Sequence, residues 1–304
     1  MSLLISNNIL DCMRKELVQC TESVLIISAY CKKSLVEFFD SCMGNKSVDK
    51  KLVVRFKMED IISGASDLEI YPYCKEKGWK LFFRMDLHAK TYVFDRMRCI
   101  IGSANATKSG LSVGGVGNFE MASYVELEKN DQIILDRLLL GSVEINDYIY
   151  SQMIEAIRSY QTKSGNAINW PIEITELFIN DYSVLFSEDF PSSYDPTEIN
   201  DDDLTCLNLS YGADIEEIRT AFLLNKSYLW LVDLIKNHEN QEMYFGSISA
   251  ALHNSLLNDP KPFRKDVKQL LSNLLNWVVA LNIEEIEVDR PNHSQRVRYV
   301  NRGV

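Results

Sequence analysis

The first half of the chain alternates short apolar runs with helical patterns. Ile9, Met13 and Leu17 are spaced like one face of a helix, and residues 24–29 form a continuous apolar run that suits a strand covered on both faces. This order predicts an α/β fold. The same alternation continues with a predicted helix at 35–42 and predicted strands at 52–56, 79–83, 91–94, 99–101 and 122–127.

Glycines and prolines interrupt this pattern further along the chain. Residues 109–117 carry four glycines and two serines and predict a loop. A helical pattern follows at 131–161, after which residues 161–203 combine weak periodicity, three prolines and the acidic run at 201–203. We therefore predict a first domain at 1–160, an acidic connector at 161–203 and a second domain at 204–304.

The second domain has its own clear pattern. Apolar residues repeat at helical spacing from Val267 to Val279 and predict an amphipathic helix over 263–281. A shorter helical pattern lies at 247–257, and two strands of a hairpin are predicted at 283–288 and 296–300. This order predicts a smaller, mainly helical domain of the winged-helix type.

Composition limits the class of protein and the compartment. Apolar residues make up 46% of the 304, yet no run is long enough for a membrane helix and the first residues do not resemble a signal peptide, so we expect a cytoplasmic protein without a membrane partner. The seven cysteines contain no C-x-x-C pair and are expected to be reduced and packed.

Charge is unevenly distributed along the chain. The net charge is -11, but residues 151–250 alone hold 5 Lys+Arg against 17 Asp+Glu. The acidic middle predicts a solvated surface, with repulsion of DNA from the active site as the alternative. Both ends of the chain remain compatible with nucleic-acid binding.

The pattern that carries chemistry begins at His88 and ends at Asn105. It reads H-x-K-x4-D-x6-G-S-x-N. Alternate side chains of a strand point the same way, so His88 and Lys90 are expected on one face. An imidazole can attack phosphorus or protonate a leaving oxygen, while a lysine and an asparagine amide stabilise the phosphoryl oxygens. The combination suits cleavage of a phosphodiester.

This pattern resembles the signature of the phospholipase D superfamily, whose members include phospholipases, phosphatidyl transferases and nucleases. The resemblance extends to Glu120, which is similar to the acidic residue that follows the signature in the small nucleases of the family. It implies a mixed sheet flanked by helices over 1–160 and a reaction without metal or other cofactor. In size and signature the chain resembles bacterial restriction or phage-defence nucleases.

The resemblance also assigns roles to residues. His88 would be the nucleophile that forms a phosphohistidine, Lys90 and Asn105 would bind phosphoryl oxygens, and Ser103 would assist as a donor. Glu120 would orient His88 through a ring N–H bond. A further signature residue, Asp95, is included among the catalytic candidates, although in this family it mostly ties nearby backbone.

A single copy of the signature has a consequence for assembly. Of the four histidines only His88 is followed two residues later by lysine, and we interpret His238, His253 and His293 as surface residues. Since one histidine must attack and another must serve as acid and then base, we predict a homodimer in which a second copy supplies the other His88. The family's single-signature nucleases work in this way.

The second domain offers candidate DNA contacts. Lys268 and Asn273 on the predicted long helix, with Arg296 and Arg298 on the hairpin, have side chains of the types that reach phosphates and base edges. Alternatively, these residues face water and balance neighbouring acids, or the domain binds a protein partner.

The sequence thus predicts a DNA nuclease, with two rivals. The enzyme rival is a phospholipase or phosphatidyl transferase, and the rival from another class is a catalytically silent protein that binds DNA or a partner. The chain contains no G-x-x-x-x-G-K-[ST] phosphate loop, so a separate ATPase or translocase is a hypothetical partner.

Overall fold

The chain folds into two compact units. The computed structural model describes residues 2–161, 169–175, 177, 182, 184–291 and 294–300. Residues 1–179 form the first unit and residues 180–304 the second, so the division falls inside the predicted connector at 161–203. Part of that connector, and His293 in the predicted hairpin turn, lie outside the described residues.

The first unit is built on an eight-stranded sheet. Its elements in chain order are β1 (Ser2–Ile5), α1 (Asn7–Gln19), β2 (Ser23–Ser28), α2 (Lys33–Met43), β3 (Asp49–Val54), α3 (Met58–Ile62), α4 (Ile70–Lys77), β4 (Trp79–Phe83), β5 (Lys90–Phe94), β6 (Arg98–Gly102), β7 (Met121–Glu126), α5 (Lys129–Leu140), β8 (Val143–Glu144), α6 (Asp147–Gln161) and α7 (Ile172–Thr175).

The sheet is mixed, as the family resemblance implied. Its strand order is β1-β7-β6-β5-β2-β3-β4-β8. The three strands β2, β3 and β4 are parallel because the chain returns through helices between them, whereas the other neighbours pair antiparallel. The antiparallel pairing places the start of β5 beside the end of β6.

Alternation along the strands builds two apolar cores, one on each face of the sheet. Val24 and Ile26 of β2 belong to the larger core, which also contains residues of α1, α2, α4 and α6. Ile27 points to the other face, where it packs in a smaller core beneath Leu135 and Leu138 of α5. The continuous apolar run at 24–29 is therefore a strand covered on both faces, as predicted.

The helical pattern predicted at 131–161 corresponds to two helices with a short strand between them. Helix α5 ends at Leu140 and is followed by Gly141, and α6 begins only at Asp147. Between them the two-residue strand β8 pairs with β4 at the edge of the sheet. Both helices carry apolar faces, and their periodicity hides the short strand that separates them.

Asp95 occupies the tight turn between β5 and β6. Asp95 and Arg96 both have positive φ, at 51° and 58°. The Asp95 carboxylate accepts three backbone N–H bonds from residues 21–23, at 2.8–3.2 Å, and a bond from Arg98 at 2.6 Å. Burial opposes ionisation, but these donors outweigh it and lower the pKa of Asp95. The carboxylate thus fixes the beginning of β2 to the turn.

The second unit is smaller and mainly helical. Its elements are two 3-10 helices (Ser187–Asp189 and Pro196–Glu198), α8 (Asp201–Cys206), α9 (Ile215–Leu223), α10 (Lys226–Lys236), β9 (Glu242–Tyr244), α11 (Phe245–Ser255), α12 (Arg264–Ala280), β10 (Ile286–Asp289) and β11 (Arg296–Tyr299). The three strands pair antiparallel in the order β10-β11-β9. From α10 to β11 the elements follow in the order helix, strand, helix, helix, strand, strand, which agrees with the prediction of a smaller, mainly helical region.

Asn273 is buried rather than exposed on the polar face of α12, which corrects our expectation. Its side-chain amide donates to the backbone carbonyls of Pro191 at 3.1 Å and Ser192 at 2.8 Å, and accepts from Gln269. Only 3% of Asn273 is exposed. A buried amide satisfies the backbone of a neighbouring segment here, which helical periodicity alone does not reveal.

Removing the Asp95 carboxylate should weaken the first unit in two distinguishable ways. Asp95→Ala leaves three backbone N–H groups without an acceptor and places alanine at positive φ, and should cost about 3 kcal/mol of unfolding free energy. Asp95→Asn keeps an acceptor oxygen and tolerates that φ, and should cost clearly less. Denaturant unfolding of the three proteins measures both values.

The pH dependence isolates the charge of Asp95. Because its pKa is lowered on folding, the stabilising contribution is complete above the ordinary value of about 3.9 and is lost as pH falls through the lower folded value. The difference between wild type and Asp95→Asn should therefore shrink below about pH 4. A difference independent of pH would contradict an electrostatic role.

Candidate active site

Four of the predicted catalytic residues line one surface cleft. His88, Lys90, Ser103 and Asn105 surround a cavity of about 640 Å³ at the point where β5 begins and β6 ends. The register pairs Thr91 with the penultimate residue of β6, which brings the two ends of the H-x-K and G-S-x-N segments together. The antiparallel pairing of β5 with β6 thus brings Asn105 near Lys90, as predicted from the signature.

His88 lies just before β5 instead of within it. The side chain is exposed at the cleft, whereas Lys90, the first residue of the strand, is buried. The Lys90 ammonium donates to the backbone carbonyl of His88 at 2.6 Å. In the described part of the chain no hydrogen bond holds the His88 imidazole, which is therefore available to a ligand.

Asn105 is held by its oxygen, and this leaves its amide nitrogen available. The Oδ1 atom accepts from the backbone N–H of Tyr30 at 3.1 Å and from the Ser28 hydroxyl at 3.3 Å. No hydrogen bond from the Nδ2 atom to the described residues is present. The fixed orientation points two N–H donors away from the protein acceptors, as binding of a phosphoryl oxygen requires.

Gly102 sets the distance between β6 and β7. A Cβ atom at this position would lie 2.3 Å from the carbonyl oxygen of Met121 and 2.6 Å from Ala122. Without that atom, the Ser103 N–H reaches the Met121 carbonyl at 2.9 Å. The glycine of the G-S-x-N segment is thus required by close approach of two strands.

The Ser103 hydroxyl and Glu120 form a pair at the edge of the cleft. Ser103 donates to the Glu120 carboxylate, which also accepts from the Asn118 amide at 3.1 Å. Glu120 is buried. The predicted bond between Glu120 and His88 is not among the bonds of the described chain, so Glu120 here holds Ser103.

Asp95 does not reach this cleft. It follows the last residue of β5, while Lys90 is the first, and five strand residues span about 17 Å. Its bonds to residues 21–23 are structural. The structure thus separates Asp95 from the other five candidates.

Tyr30 and Arg55 act on residues of the cleft and were not predicted from the sequence: Tyr30 donates to Asn105, and the charge of Arg55 acts on Lys90. Arg55 follows β3, lies against the Tyr30 ring, donates to its hydroxyl at 2.9 Å and forms an ion pair with Asp60 at 2.8 Å. Burial lowers the pKa of Lys90, the charge of Arg55 lowers it further, and Glu120 opposes both. The signal in the sequence is their place directly after the apolar runs of two parallel strands.

The predicted DNA contacts of the second unit differ in their surroundings. Lys268 is exposed on α12. Arg296 forms ion pairs with Asp289 and Glu242, and Arg298 pairs with Glu287 at 2.8 Å. The hairpin arginines are thus already neutralised within the unit.

The fold of the first unit is similar to that of a known family. The family model described as "Cardiolipin synthase, PLD-like domain" matches residues 13–136, a range that includes the complete H-x-K-x4-D-x6-G-S-x-N pattern. This part of the chain has a phospholipase D-like fold. The chain matches no curated protein significantly.

Several solved structures are similar to part of this chain and share little sequence with it. Nuc, a phospholipase D family member from Salmonella typhimurium, is 15% identical, with 48% of this chain and 99% of that chain covered and a TM-score of 0.39. NucT from Helicobacter pylori is 15% identical, with 51% and 94% covered and a TM-score of 0.35. Phosphatidylserine synthase from Haemophilus influenzae is 12% identical, with 56% and 46% covered and a TM-score of 0.40.

Among the described residues there is neither a cluster of metal-ligating side chains nor a membrane-spanning helix. Within the described ranges, no group of three or more His, Cys, Asp or Glu side chains is arranged to hold a metal ion. None of the helices described is long and apolar enough to cross a bilayer.

Adding one methyl group at Gly102 should disturb the fold of the first unit. Gly102→Ala forces β6 away from the Met121 carbonyl and should cost about 2–3 kcal/mol of unfolding free energy. Gly246→Ala is the matched control, since nothing lies within 4 Å of its Cβ position. Thermal unfolding compares the two variants, and an unchanged melting temperature for Gly102→Ala would contradict the close approach.

Proposed function

We propose that this chain is a metal-independent phosphodiesterase that cleaves DNA through a phosphohistidine on His88. The observation that carries the proposal is the convergence of three groups on one cleft: the unbonded His88 imidazole, the Lys90 ammonium and the outward amide of Asn105. A nucleophile beside two donors to phosphoryl oxygens is what displacement at phosphorus needs.

The reaction follows in two displacements. A ring nitrogen of His88 forms a bond to phosphorus while the bond from phosphorus to the leaving ester oxygen breaks, and a second histidine protonates that oxygen. Water then attacks the phosphohistidine, the phosphorus–nitrogen bond breaks, and the second histidine accepts the proton of the water. Lys90 and Asn105 stabilise the oxygens through both steps.

A homodimer would supply the second histidine. On one face of the sheet, α5 covers β2 and β3. The rest of that face, on β1, β6 and β7, exposes the apolar side chains of Leu3, Ile5, Ile101 and Met121. This uncovered apolar surface supports the assembly. Ile27 of β2 pairs with Thr91 of β5, and Thr91 pairs with Ile101 of β6, so these three side chains share one face. The exposed apolar side chains therefore lie on the same face of the sheet as α5. Ile101 also lines the cleft, so a second copy on this face would adjoin the active site.

The same assembly gives Glu120 its proposed role. In the single chain the carboxylate is bonded to Ser103 and Asn118, and the His88 imidazole has no orienting partner among the residues described. We propose that the bond from a histidine ring N–H to Glu120 forms in the assembled dimer. It would hold the ring and raise its basicity.

DNA as substrate and a role in restriction or phage defence rest on the resemblance of the signature to single-signature nucleases. The absence of a phosphate-loop motif from the sequence supports a separate ATPase or translocase as partner. The second candidate function is hydrolysis or transfer of phospholipid headgroups. The description of the matching family model names a lipid enzyme, and apolar side chains next to the cleft also suit lipid.

Cleavage assays with a histidine variant test the proposed reaction. The purified protein should cut labelled DNA in excess EDTA, and His88→Ala should lower the rate by at least about a thousandfold, since it removes nucleophile and acid together. His253→Ala, which lies in the second unit, should cut like wild type. Phospholipid vesicles replace DNA in a parallel assay. Equal DNA cleavage by His88→Ala, or turnover of vesicles alone, would overturn the proposal.

A charge on the exposed sheet face should separate the dimer. Ile101→Glu places a carboxylate on an apolar surface, and we expect a monomer by analytical ultracentrifugation together with lost cleavage. Val18→Glu is the control, because Val18 is similarly exposed, at 53% against 49%, but belongs to α1 on the opposite face. A monomeric wild type that cleaves DNA would refute assembly through this face.

A further inference from the structure

We propose that the second unit binds duplex DNA through a cationic surface on α12 and the segment before it, and that the ion-paired hairpin residues Arg296 and Arg298 take no part. This surface consists of Lys261, Arg264, Lys265 and Lys268, and is called the α12 cationic surface below. The inference deepens the proposed function by naming duplex DNA as the form of the substrate, and in that respect rests on it.

The four cations are concentrated on an acidic unit. Residues 180–304 contain 11 Lys+Arg and 20 Asp+Glu, which gives a net charge of -9. Four of those 11 cations lie within residues 261–268, where Asp266 is the single acid. Such a local excess on an otherwise acidic body favours one defined site for a polyanion over diffuse attraction.

All four side chains are available. Each of the four residues is exposed, and no ion pair neutralises any of them in the part of the chain that the structure describes. Lys261 does contact the backbone carbonyls of His253 and Asn254, at 3.3 and 3.4 Å, but these groups carry no charge. The positive charge of the surface is therefore free to meet phosphates.

The hairpin presents the opposite situation. Arg296 reaches Asp289 at 2.7 Å and Glu242 at 3.4 Å, and Arg298 reaches Glu287 at 2.8 Å. A guanidinium that must first leave two carboxylates gains little from a phosphate. Arg296 and Arg298 are therefore paired with carboxylates, whereas the four cations at α12 have no ion pair among the described residues.

Three of these cations lie on α12, a helix that fits the major groove of duplex DNA. Helix α12 buries Val267, Leu271 and Leu274, while residues 264, 265 and 268 share the exposed side. Its 17 residues span about 25 Å, and the major groove of a duplex admits one α-helix. Phe263, 82% exposed beside Arg264, can contact a thymine methyl group there.

Fluorescence anisotropy with a labelled duplex tests this surface independently of cleavage. The full chain carries His88→Ala to prevent cutting, and Lys265→Gln with Lys268→Gln is added. We expect affinity to fall about tenfold and the slope of log K against log salt to decrease by about two. The control Arg219→Gln with Lys236→Gln removes the same charge elsewhere in the unit and should leave affinity within about twofold.

A further variant and further binding measurements distinguish the possible results of this experiment. Lys265→Arg with Lys268→Arg should restore binding, which excludes misfolding as the cause. Equal losses in both charge-neutralised proteins, equally tight binding of the single strand, or no duplex binding at low salt would each overturn the inference. Duplex binding through this surface by a chain whose wild type cuts no DNA would refute the proposed function and leave the binding surface intact.

Discussion

The close approach of β6 to β7 at Gly102 is the contact on which the cleft depends. A glycine with no Cβ lets the Ser103 N–H reach the Met121 carbonyl, and the same step brings the Ser103 hydroxyl to Glu120. On its other side β6 pairs with β5, which carries Lys90. The single glycine at 102 therefore fixes the spacing of three groups that are far apart in the chain: the Glu120 carboxylate, the Ser103 hydroxyl and the Lys90 ammonium.

The uneven covering of the sheet connects the fold to the proposed chemistry. Helix α5 protects only the part of one face formed by the parallel strands, and the apolar side chains of β1, β6 and β7 remain in water. A single chain also has only one signature histidine at its cleft. Ile101 of the exposed surface lines the same cleft as His88, so one two-fold contact at this surface would bury the apolar side chains and complete the acid–base pair.

The local sequence pattern was sufficient to predict the strands and the residues of the cleft. It did not predict which other residues contact them. The apolar runs predicted β2 to β7, and the spacing of the signature identified His88, Lys90 and Asn105. Nothing local indicated that Asn105 would be held by Ser28 and Tyr30, because their contact depends on β2 and β6 flanking the same strand. The two-residue strand β8 and the burial of Asn273 were missed for the same reason, since both are decided by tertiary pairing.

The second unit shows why basic residues in a sequence cannot be equated with binding residues. Arg296 and Lys268 look alike in the sequence, yet one is paired with carboxylates of neighbouring strands and the other with none among the residues described. At physiological salt the field of the acidic surroundings is screened within about 8 Å. Unpaired cations on an exposed helix then act on a phosphate backbone at short range, whatever the net charge of the unit. Cross-strand pairing, which the sequence does not display, thus decides which of these two basic residues is paired with carboxylates.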